Sequence, residues 1–151
     1  MNLEQKIMTE MKTAMLNKEE GKLRAIRAIK AAIINAKTEK GATGELNEEM
    51  EIKLLQKLVK SRKDSMEIFA KENRADLFAK EKEEVDVIEK FLPAQMSKEE
   101  LREVLQHIIA DVGALTPADM GKVMGAATKK LGGQADGKTI SAMVKELLTT
   151  P

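Results

Sequence analysis

Apolar residues recur at intervals of three and four along nearly the whole chain, and nowhere do they alternate for long with polar ones. That period gathers apolar side chains on one face of an α-helix, whereas half-buried strands need strict alternation. Seven helical segments follow from it. The first, about 2–17, repeats Leu3, Ile7, Met11, Ala14 and Met15, and a turn over 18–21 ends at Gly21. The second, about 22–40, carries Leu23, Ile26, Ile29 and Ile33 on one stripe, before a polar loop framed by Gly41 and Gly44. Asn47 is placed to cap the third, whose stripe runs through Leu54, Leu55, Leu58, Val59, Met66 and Phe69. Asn73 and Asp76 predict a weak capping box for the fourth, which ends at Leu92 before Pro93. Ser97 with Glu100 opens the fifth, Thr116 with Pro117 the sixth, and Asp136 the seventh; Gly113 and Gly132-Gly133 close the fifth and sixth.

The expected fold is therefore all-α. An N-terminal domain of two helical hairpins spans 1–92, a linker covers 93–97, and a small three-helix domain occupies 98–151. Three short amphipathic helices cannot hide their apolar faces singly, so the last three must pack together.

Composition sharpens this picture in two ways. Three Phe are the only aromatics, so ten Met together with Leu, Ile and Ala must fill the interior. The absence of Cys excludes disulfides, thiolate metal ligands and Cys nucleophiles, and fits a reducing cytoplasm. No run of apolar residues is long enough to span a bilayer, and no membrane partner is expected. The formal net charge of +1 gives the whole molecule no pull on nucleic acid. Charge is nevertheless uneven, with nine basic and five acidic residues in 1–40 and ten basic and thirteen acidic residues in 41–92. A polyanion would have to meet the first hairpin or a local patch.

Catalytic candidates are scarce. No Ser-Lys or Ser-His-Asp set, phosphate loop or nucleotide fingerprint can be assembled, so no catalytic residue and no cofactor is expected. The lone His107 falls on the polar face of its helix beside Glu103 and Asp111, as an exposed helix histidine does. Glu99, Glu100, Glu103 and Asp111 spread along a solvated face, so no metal is expected. In the third helix Arg62 interrupts the apolar stripe, and Glu81 and Glu84 interrupt that of the fourth. Folding the two back around 72–74 brings Arg62 near Glu84, either as part of a polar ligand pocket or as an ion pair that fixes register; the second reading is favoured. Gly121-x-x-x-Gly125 gives a strip without side chains, more often a site of close helix packing than of ligand approach. Lys122 and Lys129 share a face with Lys130 beside them, and Lys138 and Lys145 follow after a short glycine-containing loop. Together with backbone amides near Asp136-Gly137-Lys138 they would suit a phosphate backbone, against the plainer reading of a solvated charged face.

Two stretches carry a resemblance. Asp119-Met120-Gly121-Lys122-Val123-Met124-Gly125, followed by Gly133-Gln134-Ala135-Asp136-Gly137-Lys138, resembles the tail domain shared by the GatB and YqeY proteins. Upstream, Arg62-Lys63-Asp64-Ser65, Phe69, Arg74-x-Asp76-Leu77 and Phe91-Leu92-Pro93-x-Gln95 look like the N-terminal domain of YqeY-like proteins, and with the first hairpin, including Arg27, the likeness covers nearly the whole chain. The resemblance implies an all-α fold and tRNA as a partner, because the tail domain helps the tRNA amidotransferase hold its tRNA. It also implies the family label of carbon–nitrogen ligase with glutamine as amide donor, although this chain lacks the amidotransferase's catalytic cradle. On that reading Lys122, Lys129, Lys130 and Lys138 meet phosphates. Gln134 departs from the family, whose members often carry a basic residue there. The alternative is a helical adaptor that docks another protein and binds no nucleic acid.

Overall fold

The computed structural model describes residues 1–39, 41–42 and 44–149, and among these there are seven α-helices and no strand. The helices are α1 (Leu3–Leu16), α2 (Glu20–Thr38), α3 (Glu48–Lys71), α4 (Ala75–Glu89), α5 (Lys98–Val112), α6 (Met120–Leu131) and α7 (Gly137–Thr149). A single 3-10 turn, Pro117–Asp119, leads into α6. The chain is all-α. The expected end of the second helix at Lys40 lies outside the described residues.

Side-chain caps set most of the helix starts. Asn2 Oδ1 accepts from the Gln5 amide (2.8 Å) while Gln5 Oε1 accepts from the Asn2 amide (3.0 Å), closing a capping box on α1. Asn47 Oδ1 accepts from Met50 N (2.8 Å), Ser97 Oγ from Glu100 N (3.2 Å) and Asp136 Oδ1 from Thr139 N (2.7 Å). Two expected boundaries differ. Gly21 does not end the first turn: it is buried inside α2, and Lys18 takes the left-handed conformation instead, with φ 56°. Asn73 likewise does not cap α4; it adopts φ 56° in the turn, and Arg74 precedes the helix with its side chain on Asp76 (3.1 Å). A short polar side chain tolerates the left-handed region better than a bulky one, so Asn73 serves the turn rather than the cap.

The chain divides into two compact units, Met1–Leu92 and Pro93–Pro151. In the first, α1 packs on α2, α3 on α4, and α2 on α4. Its core comprises Leu3, Ile7, Ala14, Leu23, Ile26, Ile29, Ile33, Leu55, Val59, Val85 and Ile88 among others, with Met11, Met66 and Phe91 packed against it. Cross-helix ion pairs tie its periphery: Lys22 with Glu10 (2.8 Å), Lys37 with Glu4 (2.6 Å), Arg24 with Glu83 (3.4 Å) and Lys63 with Glu89 (3.2 Å). In the second unit α6 packs on both α5 and α7 around Leu105, Ile108, Val123, Ala127, Leu131, Ile140 and Val144. Residues of the segment between the helical regions belong to that unit. Met96 N donates to Gln134 O (2.9 Å), and Gln95 Nε2 donates to Gly133 O (3.0 Å).

Candidate nucleic-acid interface

Helix α6 buries Val123, Ala127 and Leu131, which lie on one side because residues three and four apart stack on the same face. Lys122 and Lys129 stand on the opposite side, both exposed, and Lys130 is exposed on the flank. Helix α7 buries Ile140, Met143, Val144 and Leu148 and leaves Lys138 and Lys145 exposed on its outer side. Lys129 and Lys130 close α6 and Lys138 opens α7, so these three stand at the end of the unit where residues 132–136 turn the chain. Lys122 lies seven residues back along α6, about 10 Å at the helical rise.

Among the described residues none of these lysines is held in an ion pair, although Asp119 lies close enough to Lys122 to feel its charge. The two helices carry five lysines and one acid, Glu146, and that acid is engaged by Arg102 of α5 at 2.9 Å. Among the described residues, this is the only ion pair in the second unit. The remaining acids of the unit cluster on α5 as Glu99, Glu100, Glu103 and Asp111, or sit at helix starts as Asp119 and Asp136. The first hairpin differs, since Lys22, Arg24 and Lys37 all serve cross-helix ion pairs. Arg27 stays exposed on α2.

The glycines of the α6 motif do not pack against a neighbour. Gly121 and Gly125 are exposed, and a Cβ at either would meet nothing within 4 Å. The expected close helix contact is absent there. What the structure has is an open backbone strip beside Lys122 and Lys129. A glycine inside a helix costs about 1 kcal/mol relative to alanine, and packing offers no compensation for these two.

At the start of α7 the Asp136 carboxylate stands beside the amides that the sequence offers for anion binding. Thr139 N is already taken by the Asp136 carboxylate, whose negative charge sits where an incoming phosphate would have to approach. Lys129, Lys130 and Lys138 are the exposed cations at this end of the unit. At the start of the 3-10 turn Asp119 Oδ2 accepts from Leu115 N (2.9 Å) and Thr116 N (3.2 Å). Those amides, and more weakly the Lys122 ammonium, hold the Asp119 carboxyl below the usual carboxylate range. This lock was not legible as such; only the Thr-Pro-x-Asp spacing hinted at it.

The family decides itself from the span of the likeness. The family model described as "Yqey-like protein" matches residues 4–148. The chain belongs to that family. Among curated relatives, Altered inheritance of mitochondria protein 41, mitochondrial, from Pyrenophora tritici-repentis (strain Pt-1C-BFP) is 30% identical over 148 residues, covering 95% of this chain and 79% of the relative. The protein of the same name from Saccharomyces cerevisiae (strain YJM789) is 34% identical over 133 residues, with 87% and 69% covered. That from Clavispora lusitaniae (strain ATCC 42720) is 32% identical over 110 residues, with 72% and 63% covered.

Elsewhere in this Yqey-like chain, Arg62 of α3 and Glu84 of α4 do come together, with Nε 3.9 Å from Oε2 and side chains only 17% and 13% exposed. Arg62 Nη1 donates to the Leu58 carbonyl (3.1 Å), whereas its buried Nε makes no hydrogen bond. The contact links α3 to α4. His107 is exposed on α5. Among the described residues no group of three or more His, Asp or Glu is disposed to hold a metal, and no helix is long and apolar enough to cross a membrane.

Proposed function

We propose that this Yqey-like chain is a tRNA-binding accessory protein that lays the phosphate backbone along the outer sides of α6 and α7. Lys122, Lys129, Lys130 and Lys138 are the contacting residues. The observation that supports the reading is a set of exposed lysines on those two helices, none of them in an ion pair among the described residues, beside an open strip at Gly121 and Gly125. Phosphate contacts of this kind position a nucleic acid without reading its sequence, and the lack of Trp and Tyr argues against base stacking as the main force. The amide-transfer label of the wider family then describes the reaction that a bound tRNA undergoes elsewhere, with this chain holding tRNA rather than performing chemistry. The reading needs only a reducing compartment that contains tRNA. The cytoplasm is the proposed one, and the relatives named above carry "mitochondrial" in their own names.

Fluorescence-anisotropy titration of purified tRNA at low salt tests it. Binding is expected to weaken linearly in log–log form as salt rises, and each of the four lysines changed to Ala should lower that slope by about one. Absence of any interaction at low ionic strength would falsify the proposal. A second reading, a helical adaptor, is favoured by one feature of the first unit. Ala32 and Ala36 of α2 and Leu54 and Leu58 of α3 line an open groove of about 640 Å³ together with Lys57, Glu39 and Lys53, the last paired with Glu49 (2.9 Å). The apolar face of an amphipathic helix fits such a groove. Pull-down with and without nuclease separates the two, because an adaptor keeps its partner after RNA is destroyed.

A further inference from the structure

Between Glu20 and Glu39 helix α2 carries no acid, yet it holds Lys22, Arg24, Arg27, Lys30 and Lys37. These cations differ in what surrounds them. Lys22 and Lys37 reach Glu10 and Glu4 of α1, Arg24 reaches Glu83 of α4, and all three are partly buried. Arg27 and Lys30 are exposed, and neither is held in an ion pair among the described residues. They share one side of the helix with Ala31 and Ile34, because residues three, four and seven apart lie along one strip. Ala31 is exposed and Ile34 is 49% exposed, so the strip stays open between them. The acids that border it stand at the helix ends. Glu20 precedes Arg27 and Glu39 follows Lys30, each about 10 Å or more away along the axis.

We propose that this strip is a second phosphate-contact surface, through which the first unit touches the RNA that the lysines of α6 and α7 hold. The inference rests on the tRNA-binding reading and extends it to the first unit. The flanks of α2 spend their cations on carboxylates of neighbouring helices, whereas the outer strip keeps its charge for a partner. The Arg27 guanidinium can donate two parallel N–H bonds to one phosphate. Lys30, with its Cβ about 5–6 Å away, adds a point charge for the next. Charge complementarity selects a polyphosphate over the other occupants. A protein interface centres on an aromatic or aliphatic anchor, and the strip has no aromatic and only Ile34 at one end. A membrane-surface helix needs a broad apolar face, and that of α2 is closed in the core by Leu23, Ile26, Ile29 and Ile33. A phosphate backbone requires only cations without a competing carboxylate.

Titration of the full chain with purified tRNA over a range of salt tests the strip. Arg27→Gln with Lys30→Gln should lower the slope of log affinity against log salt by about two. Arg27→Lys with Lys30→Arg should restore the parent slope. Circular dichroism and melting curves should match the parent in both, since the two side chains are exposed. A matched pair separates the strip from net charge. Ile34→Glu and Ile68→Glu each replace an exposed isoleucine, 49% and 59% exposed, by one negative charge, and only the first should weaken binding. Equal losses in those two overturn the proposal, because net charge and not position would then set affinity. If the glutamine pair keeps the parent slope while substitution of the α6 and α7 lysines lowers it, the strip is no contact and the tRNA reading stands. If only the α2 variants lower it, the strip stands and the lysine interface falls. A parent chain that binds no tRNA ends both. Sedimentation with vesicles of anionic phospholipid that needs Arg27 and Lys30, in a chain whose tRNA affinity does not, overturns the proposal in favour of a lipid surface.

Discussion

Gly21 illustrates how a single residue's role depends on a contact that its own sequence neighbourhood does not contain. It follows a turn and precedes a helix, the usual place for a glycine that ends one element. In the fold it lies inside α2, and a methyl group there would overlap the carboxylate of Glu83 from α4. That carboxylate is the mobile end of a side chain paired with Arg24 at 3.4 Å. Gly21→Ala should therefore cost little, because the gain in helix propensity of about 1 kcal/mol offsets the displaced surface pair. In a Glu83→Ala background the same change should stabilise by about 1 kcal/mol, and urea unfolding of the four variants reads the difference. Arg62 is a stronger case. Arg62→Met leaves Glu84 as a largely buried carboxylate without its cation and should cost about 3 kcal/mol, most of it recovered in Arg62→Met with Glu84→Met. An equal loss in the double variant would mean that packing rather than charge holds this site. Asp119 carries the clearest pH signature. Its folded carboxyl titrates below its ordinary value of 3.8, so its contribution is present above that value and disappears as pH falls through the lower, folded one. The melting temperature of Asp119→Asn should accordingly fall less between pH 5 and strongly acidic pH than that of the parent chain.

At the scale of elements, most of the helices were legible because punctuation and period agreed. Ser97, Asp136 and Asn47 are all short polar side chains one residue before a run with helical spacing, and each one accepts the amide expected of a cap. Misplaced boundaries occurred where two local rules competed, as at Asn73, whose side chain suits a cap and whose backbone suits a left-handed turn. Helix α6 shows the opposite situation, with a motif legible in the sequence and a surface that was not. Gly121-x-x-x-Gly125 has the spacing of a helix-packing strip, yet both glycines face open space. Replacing both by Ala should raise thermal stability, by up to about 2 kcal/mol for the pair if the effects add. Binding of tRNA should fall at the same time if a phosphate backbone approaches that strip. Stabilisation with unchanged tRNA affinity would show that the open backbone serves no nucleic acid.

At the scale of the whole molecule, each unit gathers its own core, and a defect in one should be read there first. Leu105→Ala in the second unit removes a fully buried side chain and should cost about 2–5 kcal/mol, with hydrogen exchange accelerating in α5, α6 and α7. Exchange in α1–α4 rising equally would show that the two cores unfold as one. Membership of the Yqey-like family, the all-α class and most of the residues that line both cores follow from apolar period and motif alone, because helix period is a local property and burial largely follows it. Met15, on the expected stripe of the first helix, nevertheless stands 58% exposed. Which charges are engaged was another matter. Lys22 and Lys129 read alike in the chain, but one meets Glu10 across a helix pair and the other meets solvent, and only packing between distant segments separates them. The same holds for the first helix. Its apolar period groups Met15 with Leu3, Ile7, Met11 and Ala14, yet the fold turns Leu3, Ile7 and Ala14 inward and leaves Met15 more than half exposed. That choice belongs to the tertiary structure, since the side chosen is the one that closes against α2 and buries surface shared with the whole first unit.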